Sequence, residues 1–250
     1  CTTTPMETLT DAVRMAFEAA APERVTASWG HSSGINIAGI DPKTGEQYVT
    51  MILASIISGA GATQQMDGWH ACGPLSCFGA LSSGDIELLE YQYPILIHKY
   101  GLAEDSGGAG EYRGGCGTVW EVEPLDHTMT VIAFGEGRQH PTMGAGGAEQ
   151  ISPELKVGRL EILHKDGQTD LYRKNTVTEI TPGERARNIN PGGGGYGSSF
   201  DRDIQAVIKD VKERIISIAA AKIEYGVVLD PETLALNEAE TEYLRRQITA

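Results

Sequence analysis

Two glycine clusters between residues 107 and 115 constrain the fold more than any other feature of the sequence. Five glycines stand among these nine residues, at positions 107, 108, 110, 114 and 115. So much glycine excludes an ordinary helix and permits backbone with positive φ, which other residues resist. So much glycine between apolar strands indicates that the backbone of this segment closely approaches another group. The sequence leaves open whether that is a ligand or another strand.

Composition indicates a globular protein and excludes two classes of partner. A chain of 250 residues can bury a substantial core. The formal charge of −14 repels nucleic acid and anionic membranes, and no stretch approaches the roughly 20 apolar residues that cross a bilayer. Four cysteines without a signal-like apolar start are typical of a reducing compartment, so we expect the cytoplasm.

The predicted elements indicate an α+β fold, with a mostly antiparallel β core and helices at the N- and C-terminal ends. Thr4-Pro5-Met6-Glu7 predicts a helix start with Thr4 as the N-cap. The apolar residues that follow recur at helical spacing and predict a face that packs inward: Met6, Leu9, Val13, Ala16, Phe17 and Ala20. Short apolar runs predict strands at 24–29, 35–40, 47–53, 119–122, 129–134, 159–163 and 169–172.

Three further segments complete the predicted order. Residues 86–100 have the pattern of a strand interrupted by Pro94, which is typical of an edge or a bulge. One long helix is predicted from about Asp203 to Tyr225, where Gly226 ends it, and a last helix runs to about Ile248. We expect residues 1–250 to form a single domain.

A long connection between residues 58 and 85 is the second place to look for a site, after the glycine-rich segment, because such loops are often functional. It contains Asp67 and His70, three residues apart, a pair that could orient a base or bind a metal. The alternative is an Asp-Gly turn followed by an exposed imidazole. Cys72 and Cys77 lie in the same loop, but no second cysteine pair completes a zinc site, so we interpret these thiols as structural or incidental.

Two carboxylates, Glu87 and Glu90, follow this connection on the predicted strand. Like charges in a dry site can raise the pKa of one of them enough for acid–base chemistry, although strand alternation puts the two on opposite faces. We expect one of them to lie with Asp105 and Arg113, since an arginine between glycines can offer a carboxylate a bidentate fork. The alternative is an internal salt bridge that fixes the glycine-rich segment.

A second glycine-rich stretch, PGGGGYG at residues 191–197, precedes the long predicted helix. Its amides, including those of Gly193 and Gly194, could hold an anion. It lacks the lysine of a phosphate-binding Walker loop and the spacing of a dinucleotide fingerprint. Close packing of this backbone against another subunit is the alternative.

Four ordered blocks of the sequence resemble the hydantoinase B family. The most characteristic is DSGGAGEYRGGCG, from Asp105 to Gly117. The others are Asp67-Gly68 after the glycine-alanine stretch at 59–62, the stretch at 191–197, and YGVVLD at 225–230. The family includes the B halves of ATP-dependent hydantoinases and 5-oxoprolinases, and related subunits of acetone and acetophenone carboxylases.

The resemblance implies a division of labour between subunits. In the family, an A subunit similar to actin-like ATPases binds ATP and phosphorylates an amide or carbonyl oxygen, and the B subunit completes hydrolysis or carboxylation. Family members are about twice as long as this chain, which resembles their C-terminal half. We therefore expect a fragment or a processed chain that begins at Cys1, the alternative being that Cys1 is an autoproteolytic nucleophile activated by its own α-amine.

The resemblance places the divalent metal and its Asp and His ligands in the N-terminal half of the B subunit. We therefore expect no metal ligand in this chain, and no activity from the chain alone. The expected partners are that N-terminal half, a hydantoinase A-like ATPase subunit and a small-molecule substrate. Ser83-Gly84-Asp85 stands where an Asn-Thr-Pro triplet is common in the family, so the choice among hydantoin, oxoproline, lactam and ketone substrates stays open.

Two functions follow from these observations. The first is part of an ATP-dependent cyclic amide hydrolase, with a ketone carboxylase subunit as its enzymatic alternative; the second is a non-catalytic module that docks the ATPase. The enzyme would be favoured if Asp105 and Arg113 face outward beside Asp67. The docking module would be favoured if Asp105 and Arg113 are buried in a closed salt bridge. The candidate catalytic residues are Asp67, Asp105 and Arg113, and the candidate substrate-binding residues are His70, Glu87, Glu90, Gly193 and Gly194.

Overall fold

Two antiparallel β-sheets form the centre of the protein in a computed structural model, which describes residues 3–248 except positions 78, 80 and 150. The first sheet has the order β2-β1-β5-β8 and the second the order β3-β4-β9-β6-β7. In chain order, the strands are β1 (Gly34–Ile40), β2 (Gln47–Met51), β3 (Ile95–Leu102), β4 (Thr118–Pro124), β5 (Met129–Phe134), β6 (Arg159–Leu163), β7 (Thr169–Tyr172), β8 (Thr176–Ile180) and β9 (Arg185–Ile189).

Four of the α-helices in the described residues lie before or after the strands in the sequence and a fifth lies between β2 and β3, so the predicted α+β class is confirmed. They are α1 (Thr3–Glu18), α2 (Ile86–Gln92), α3 (Ile204–Lys212), α4 (Ile218–Tyr225) and α5 (Glu238–Ile248). Asp85, Asp203 and Ser217 cap α2, α3 and α4, each accepting a hydrogen bond from a backbone N–H in the first turn. Gly226 ends α4 in the left-handed conformation, as predicted.

The main hydrophobic core lies between the two sheets. Strand alternation turns one face of each sheet toward the other, so that Ile35 and Val131 of the first sheet share a buried cluster with Trp120, Val122 and Leu160 of the second. A second core joins α3 and α4 to the glycine-rich segment through Ala109 and Cys116. The glycine-rich segment therefore lies between the sheets and the C-terminal helices.

Three glycine-rich segments pack backbone against backbone, and we call them the glycine core: residues 59–61, 107–115 and 191–195. The N–H of Gly115 donates to the carbonyl of Ala60 (2.9 Å), that of Gly193 to the carbonyl of Gly115 (2.9 Å), and that of Gly108 to the carbonyl of Gly193 (2.8 Å). A Cβ on Gly114 would lie 1.9 Å from the carbonyl oxygen of Gly193. The glycines thus bring other segments of the same chain together.

Residues 86–100 are not one strand, contrary to the prediction. Asp85 caps a short helix, α2, and this helix ends before Pro94 because the residue preceding a proline, Tyr93, is held in an extended conformation. Strand β3 starts only at Ile95. Glu87 and Glu90 therefore lie on a helix.

Other predicted boundaries also differ. The long helix predicted to Tyr225 is two helices, separated where Arg214 adopts φ 57° and Ser217 caps the second. Residues 25–29 form no strand, and α1 already includes Thr4, which is therefore not its N-cap. Strands β8 and β9 carry no signal that the sequence analysis used.

The apolar stripe of α1 faces outward, whereas the sequence predicts that it packs inward. Five large apolar side chains on this helix are 47–64% exposed: Met6, Leu9, Val13, Met15 and Phe17. Glu7 and Asp11 are instead 2% and 8% exposed. Ser32 donates from its N–H and its hydroxyl to Glu7 (2.6 and 2.8 Å), and Asp11 lies 2.5 Å from the Ser28 hydroxyl and 2.7 Å from His31 Nε2. Polar contacts hold this helix to the rest of the chain.

This buried polar contact makes the stability of the protein dependent on pH. Burial alone would lower the pKa of His31, but the hydrogen bond and charge of Asp11 outweigh it and raise that pKa above 6.5. Burial raises the pKa of Glu7. Because both values are raised in the folded state, the stability they confer is present at low pH and is lost as pH rises through the folded pKa.

We therefore expect the free energy of unfolding to fall between pH 6 and pH 9, and to fall less in His31→Gln. Urea unfolding at the two pH values measures this difference. An equal fall in the variant would contradict the assignment to His31.

Candidate functional site

Four charged side chains from distant segments meet beside the glycine core, and we call them the ion-pair cluster: Asp67, Arg113, Arg202 and Asp210. The two terminal nitrogens of Arg202 each donate a hydrogen bond of 2.7 Å to one carboxylate oxygen of Asp67. Asp210 lies 2.8 Å from Arg202 and 3.1 Å from Arg113 Nε. The N–H of Arg113 also donates to Asp67 (2.8 Å). The cluster thus fastens the Asp67 loop, the glycine core and α3 together.

The cluster is buried except on one side. Arg113, Arg202 and Asp210 are each less than 8% exposed, whereas one third of the Asp67 side chain is exposed. Asp67 lies on a cleft of about 360 Å³, lined mainly by polar residues that include Glu111 and Asp203. Burial alone would raise the pKa of Asp67, but the hydrogen bonds and charge of Arg202, with the charge of Arg113, lower it. Asp67 is therefore an ionised anchor with both oxygens engaged, which is a poor arrangement for accepting a proton.

His70 belongs to the same neighbourhood. The N–H of Cys116 donates to His70 Nδ1 (2.9 Å), and Nε2 lies 3.2 Å from Arg113. Burial and the charge of Arg113 lower the pKa of His70, which favours the neutral ring. His70 thus helps to fix the loop of residues 67–70 on the glycine core. The structure therefore brings three predicted residues together: Asp67, His70 and Arg113.

Asp105 does not join this cluster, so the prediction that it pairs with Arg113 is wrong. Its carboxylate accepts a hydrogen bond from the N–H of Ser217 (2.7 Å), and its carbonyl accepts one from Lys156 (2.7 Å). Asp105 has φ 62°, and its own N–H donates to the carbonyl of Ile215. These bonds fasten the connection between α3 and α4, so Asp105 is engaged elsewhere.

Glu87 and Glu90 lie on α2 and do not form the predicted inward cluster with Arg113. Glu87 is exposed in the first turn of the helix. Glu90 accepts a hydrogen bond from the N–H of Ile97 (2.7 Å) and so links the helix to β3. Helical geometry, rather than strand alternation, sets their directions.

Gly193 and Gly194 are buried, and their amides do not form the predicted anion cradle. The N–H of Gly193 donates to Gly115, and that of Gly194 to the carbonyl of Ser28 (2.7 Å). The neighbouring amide of Gly192 donates to Ser106. Because these donors are satisfied within the chain, they do not fit the phosphates of ATP, and the close packing that they provide is intramolecular.

Two residues of the cluster, Arg202 and Asp210, were missed by the sequence analysis. A signal was present, because Asp210 lies on the apolar face of α3 beside Val207 and Val211. A carboxylate on a buried helix face is almost always paired. Arg202 lies between a short 3₁₀ turn, Ser199–Asp201, and α3, and carries no comparable pattern.

Within the described ranges, no three His, Cys, Asp or Glu side chains lie together as a metal site would require. Cys72, Cys77 and Cys116 are free thiols. None of the helices in the described part of the chain is long and apolar enough to cross a membrane.

Comparison with known proteins identifies the family. Residues 1–199 match the family described as hydantoinase B/oxoprolinase. The chain belongs to this family. The resemblance inferred from the four sequence blocks is thereby confirmed. The ion-pair cluster and the glycine core contain residues from three of those blocks.

Three matches set the scale of the relationship. The beta subunit of caprolactamase from Pseudomonas jessenii is 63% identical over 242 residues, which cover 96% of this chain and 42% of that subunit. The crystal structure of the ATP-dependent caprolactamase from the same organism superposes with a TM-score of 0.87 at 54% identity, covering 98% of this chain and 42% of the other. A nucleotide-free acetone carboxylase matches with a TM-score of 0.75 at 21% identity, covering 93% and 35%, which shows a shared fold.

Proposed function

We propose that this hydantoinase B family chain is part of the beta subunit of an ATP-dependent cyclic amide hydrolase, with a lactam as substrate. The observation that carries the proposal is the 63% identity to the caprolactamase beta subunit over almost the whole chain. The chain spans about two fifths of that relative, so the remaining part of the subunit completes the site. Hydantoin and 5-oxoproline are the other cyclic amides to test.

In this proposal the chain supports the reaction rather than performing its phosphoryl step. ATP, bound by a hydantoinase A-like partner, supplies activation of the amide oxygen. The residues of this chain hold the loop of residues 67–70 in a fixed position on the glycine core. The same proposal places the divalent metal in the part of the subunit outside this chain.

The outward apolar stripe of α1 supports a partner within the same subunit. Five exposed large apolar side chains on one 16-residue helix are unusual for a surface that faces water. Since the relatives are more than twice as long, we propose that the rest of the subunit covers this stripe. The fixed polar contacts of Glu7 and Asp11 would then hold α1 ready for that contact.

An exchange experiment tests the function. The matching 242-residue segment of the P. jessenii beta subunit is replaced by this chain, and the complex is purified with its partner subunits. We expect ATP-dependent opening of caprolactam at a rate within about tenfold of the parent, because a rate change of that size corresponds to only about 1.4 kcal/mol in the barrier.

The parent enzyme and the exchanged enzyme without ATP are the controls. Hydantoin, 5-oxoproline, and acetone with bicarbonate are assayed in parallel. An assembled complex that opens none of the cyclic amides would contradict the proposal, and ATP-dependent carboxylation of acetone would favour the carboxylase alternative.

A second function, a docking module without a catalytic residue, has its own support. Arg113 is buried in ion pairs, and both oxygens of Asp67 are engaged. In the exchanged enzyme, Asp67→Asn would then reduce the amount of assembled complex while leaving the turnover per complex unchanged. A loss of turnover in fully assembled complex would instead assign Asp67 to the chemistry.

A further inference from the structure

A groove of about 470 Å³ on the second sheet has a basic lining, although the chain as a whole carries a charge of −14. We call it the basic groove. Its walls come from β3, β4, β6 and β9 and from the connection between α3 and α4. Four basic side chains line it, against the two acidic side chains Glu104 and Glu161: Lys99, Arg159, Arg187 and Arg214.

The groove has an apolar floor. Strand alternation turns Trp120 and Leu160 into the sandwich core and leaves Val119 and Ile189 on the opposite face of the sheet. These two residues pack with Ala103, and Leu102 adds to the lining at 39% exposure. A ligand held here would meet methyl and methylene groups beneath a rim of cations.

Two of the four cations have no carboxylate within ion-pair distance among the described residues. Arg159 and Arg187 pair with Glu161 at 2.9 and 3.2 Å, and Arg187 also pairs with Glu121 at 2.8 Å. Lys99 and Arg214 form no ion pair within 4 Å in the described part of the chain. Glu104 lies near both cations, and their charges act to lower the pKa of Glu104, but burial and the charge of Asp105 outweigh them and raise it.

The backbone at Arg214 is a second, independent observation. Arg214 ends α3 in the left-handed region, with φ 57°. Glycine is the usual residue at such a position, and this chain uses Gly226 with φ 62° at the end of α4. Arginine resists this conformation because of its Cβ. Arg214 therefore brings a guanidinium group to the groove at a cost in backbone strain. Strained backbone of this kind is often found at binding sites.

We propose that the basic groove binds a small organic oxyanion, with its carboxylate or phosphate group between Lys99 and Arg214 and its apolar part on Val119 and Ile189. The volume suits a small ligand, and guanidinium and ammonium groups are the usual partners of such anions. This inference does not rest on the proposed enzymatic function. A carboxylate and a phosphate offer the same oxyanion chemistry to the two cations, so both are compared in the test.

Titration of the isotope-labelled 250-residue chain with hexanoate or with inorganic phosphate, followed by NMR at constant ionic strength, tests the site. We expect saturable shifts of the backbone amides of residues 101–104, 119 and 189. Hexanoate binding alone identifies a carboxylate ligand with an apolar chain, and phosphate binding alone identifies a phosphate ligand. In Arg214→Gly, the affinity is expected to fall about tenfold through loss of one charge-assisted hydrogen bond.

The variant Arg214→Gly removes the guanidinium group without disturbing the fold, because glycine readily adopts the left-handed backbone at this position. Arg24→Ala is the control: its side chain is 83% exposed and lies outside the groove, and it removes the same charge. Lys99→Ala provides a second variant. Equal affinity in wild type and Arg214→Gly, absence of shifts with both anions, or binding of an acidic peptide alone would each overturn the proposal.

Discussion

Replacing Gly193 with alanine is expected to destabilise the protein by about 3 kcal/mol or more and to lower the melting temperature by roughly 10 °C. A Cβ at this position would lie 1.9 Å from the carbonyl oxygen of Ala60 and 2.5 Å from the amide nitrogen of Gly61. Both are backbone atoms, so no side-chain rotation can relieve the contact. The segments 59–61 and 191–195 would have to separate, and the hydrogen bond from the Gly59 N–H to the Pro191 carbonyl would be lost.

The matched control is Gly101→Ala in strand β3. A Cβ there has no heavy atom within 4 Å, and the residue has no positive φ. We expect its melting temperature to stay close to that of the wild type in the same thermal scan monitored by circular dichroism. If the two alanine variants melt together, backbone contact in the glycine core is not what requires glycine at position 193.

The glycine-rich pattern predicted a close backbone approach, but the sequence could not say what is approached. The answer depends on residues 59–61 and 191–195, which are roughly 50 and 80 positions away from the cluster at 107–115. Local propensity carries no information about such pairing. A glycine-rich pattern in isolation is also compatible with a bound ligand. An anion at residues 191–197 is disfavoured because the N–H groups of Gly193 and Gly194 already donate to carbonyl groups of the chain.

The two largest errors in the predicted elements have local causes. An aromatic and apolar run at residues 86–93 resembles a strand, but the Asp85 cap and the extended residue before Pro94 limit it to a helix of two turns. In α1 the spacing correctly predicts a helix with an apolar stripe. It does not reveal which side the protein covers, because buried hydrogen bonds to Glu7 and Asp11 decide the orientation.

The candidate site was predicted only in part. Loop context and the family resemblance point to Asp67, His70 and Arg113, and the structure brings these three residues together. Asp105 stands in the same sequence block as Arg113, yet its side chain turns to Ser217. Neighbours in sequence can face different partners when the backbone between them is glycine-rich, and this freedom is what a linear pattern cannot resolve.

Replacing Asp210 with asparagine is the second large expected effect, a loss of about 3 kcal/mol or more in the free energy of unfolding. Asp210 is 4% exposed and lies between the guanidinium groups of Arg113 and Arg202. Asparagine keeps the shape but removes the charge, which leaves two buried cations with Asp67 as the remaining carboxylate of the cluster. Urea unfolding of both proteins measures the difference.

Asp201→Asn is the control for the loss of one negative charge beside the same cleft. Asp201 is exposed and outside the ion-pair cluster, so we expect a change below about 0.5 kcal/mol. Salt separates the two cases further, since mobile ions screen exposed charges and barely reach buried ones. The deficit of Asp210→Asn should therefore persist in about 1 M sodium chloride, where surface electrostatics are largely screened. A deficit that disappears in salt, or one equal to that of Asp201→Asn, would mean that the cluster is open to solvent and does not fasten α3 to the glycine core.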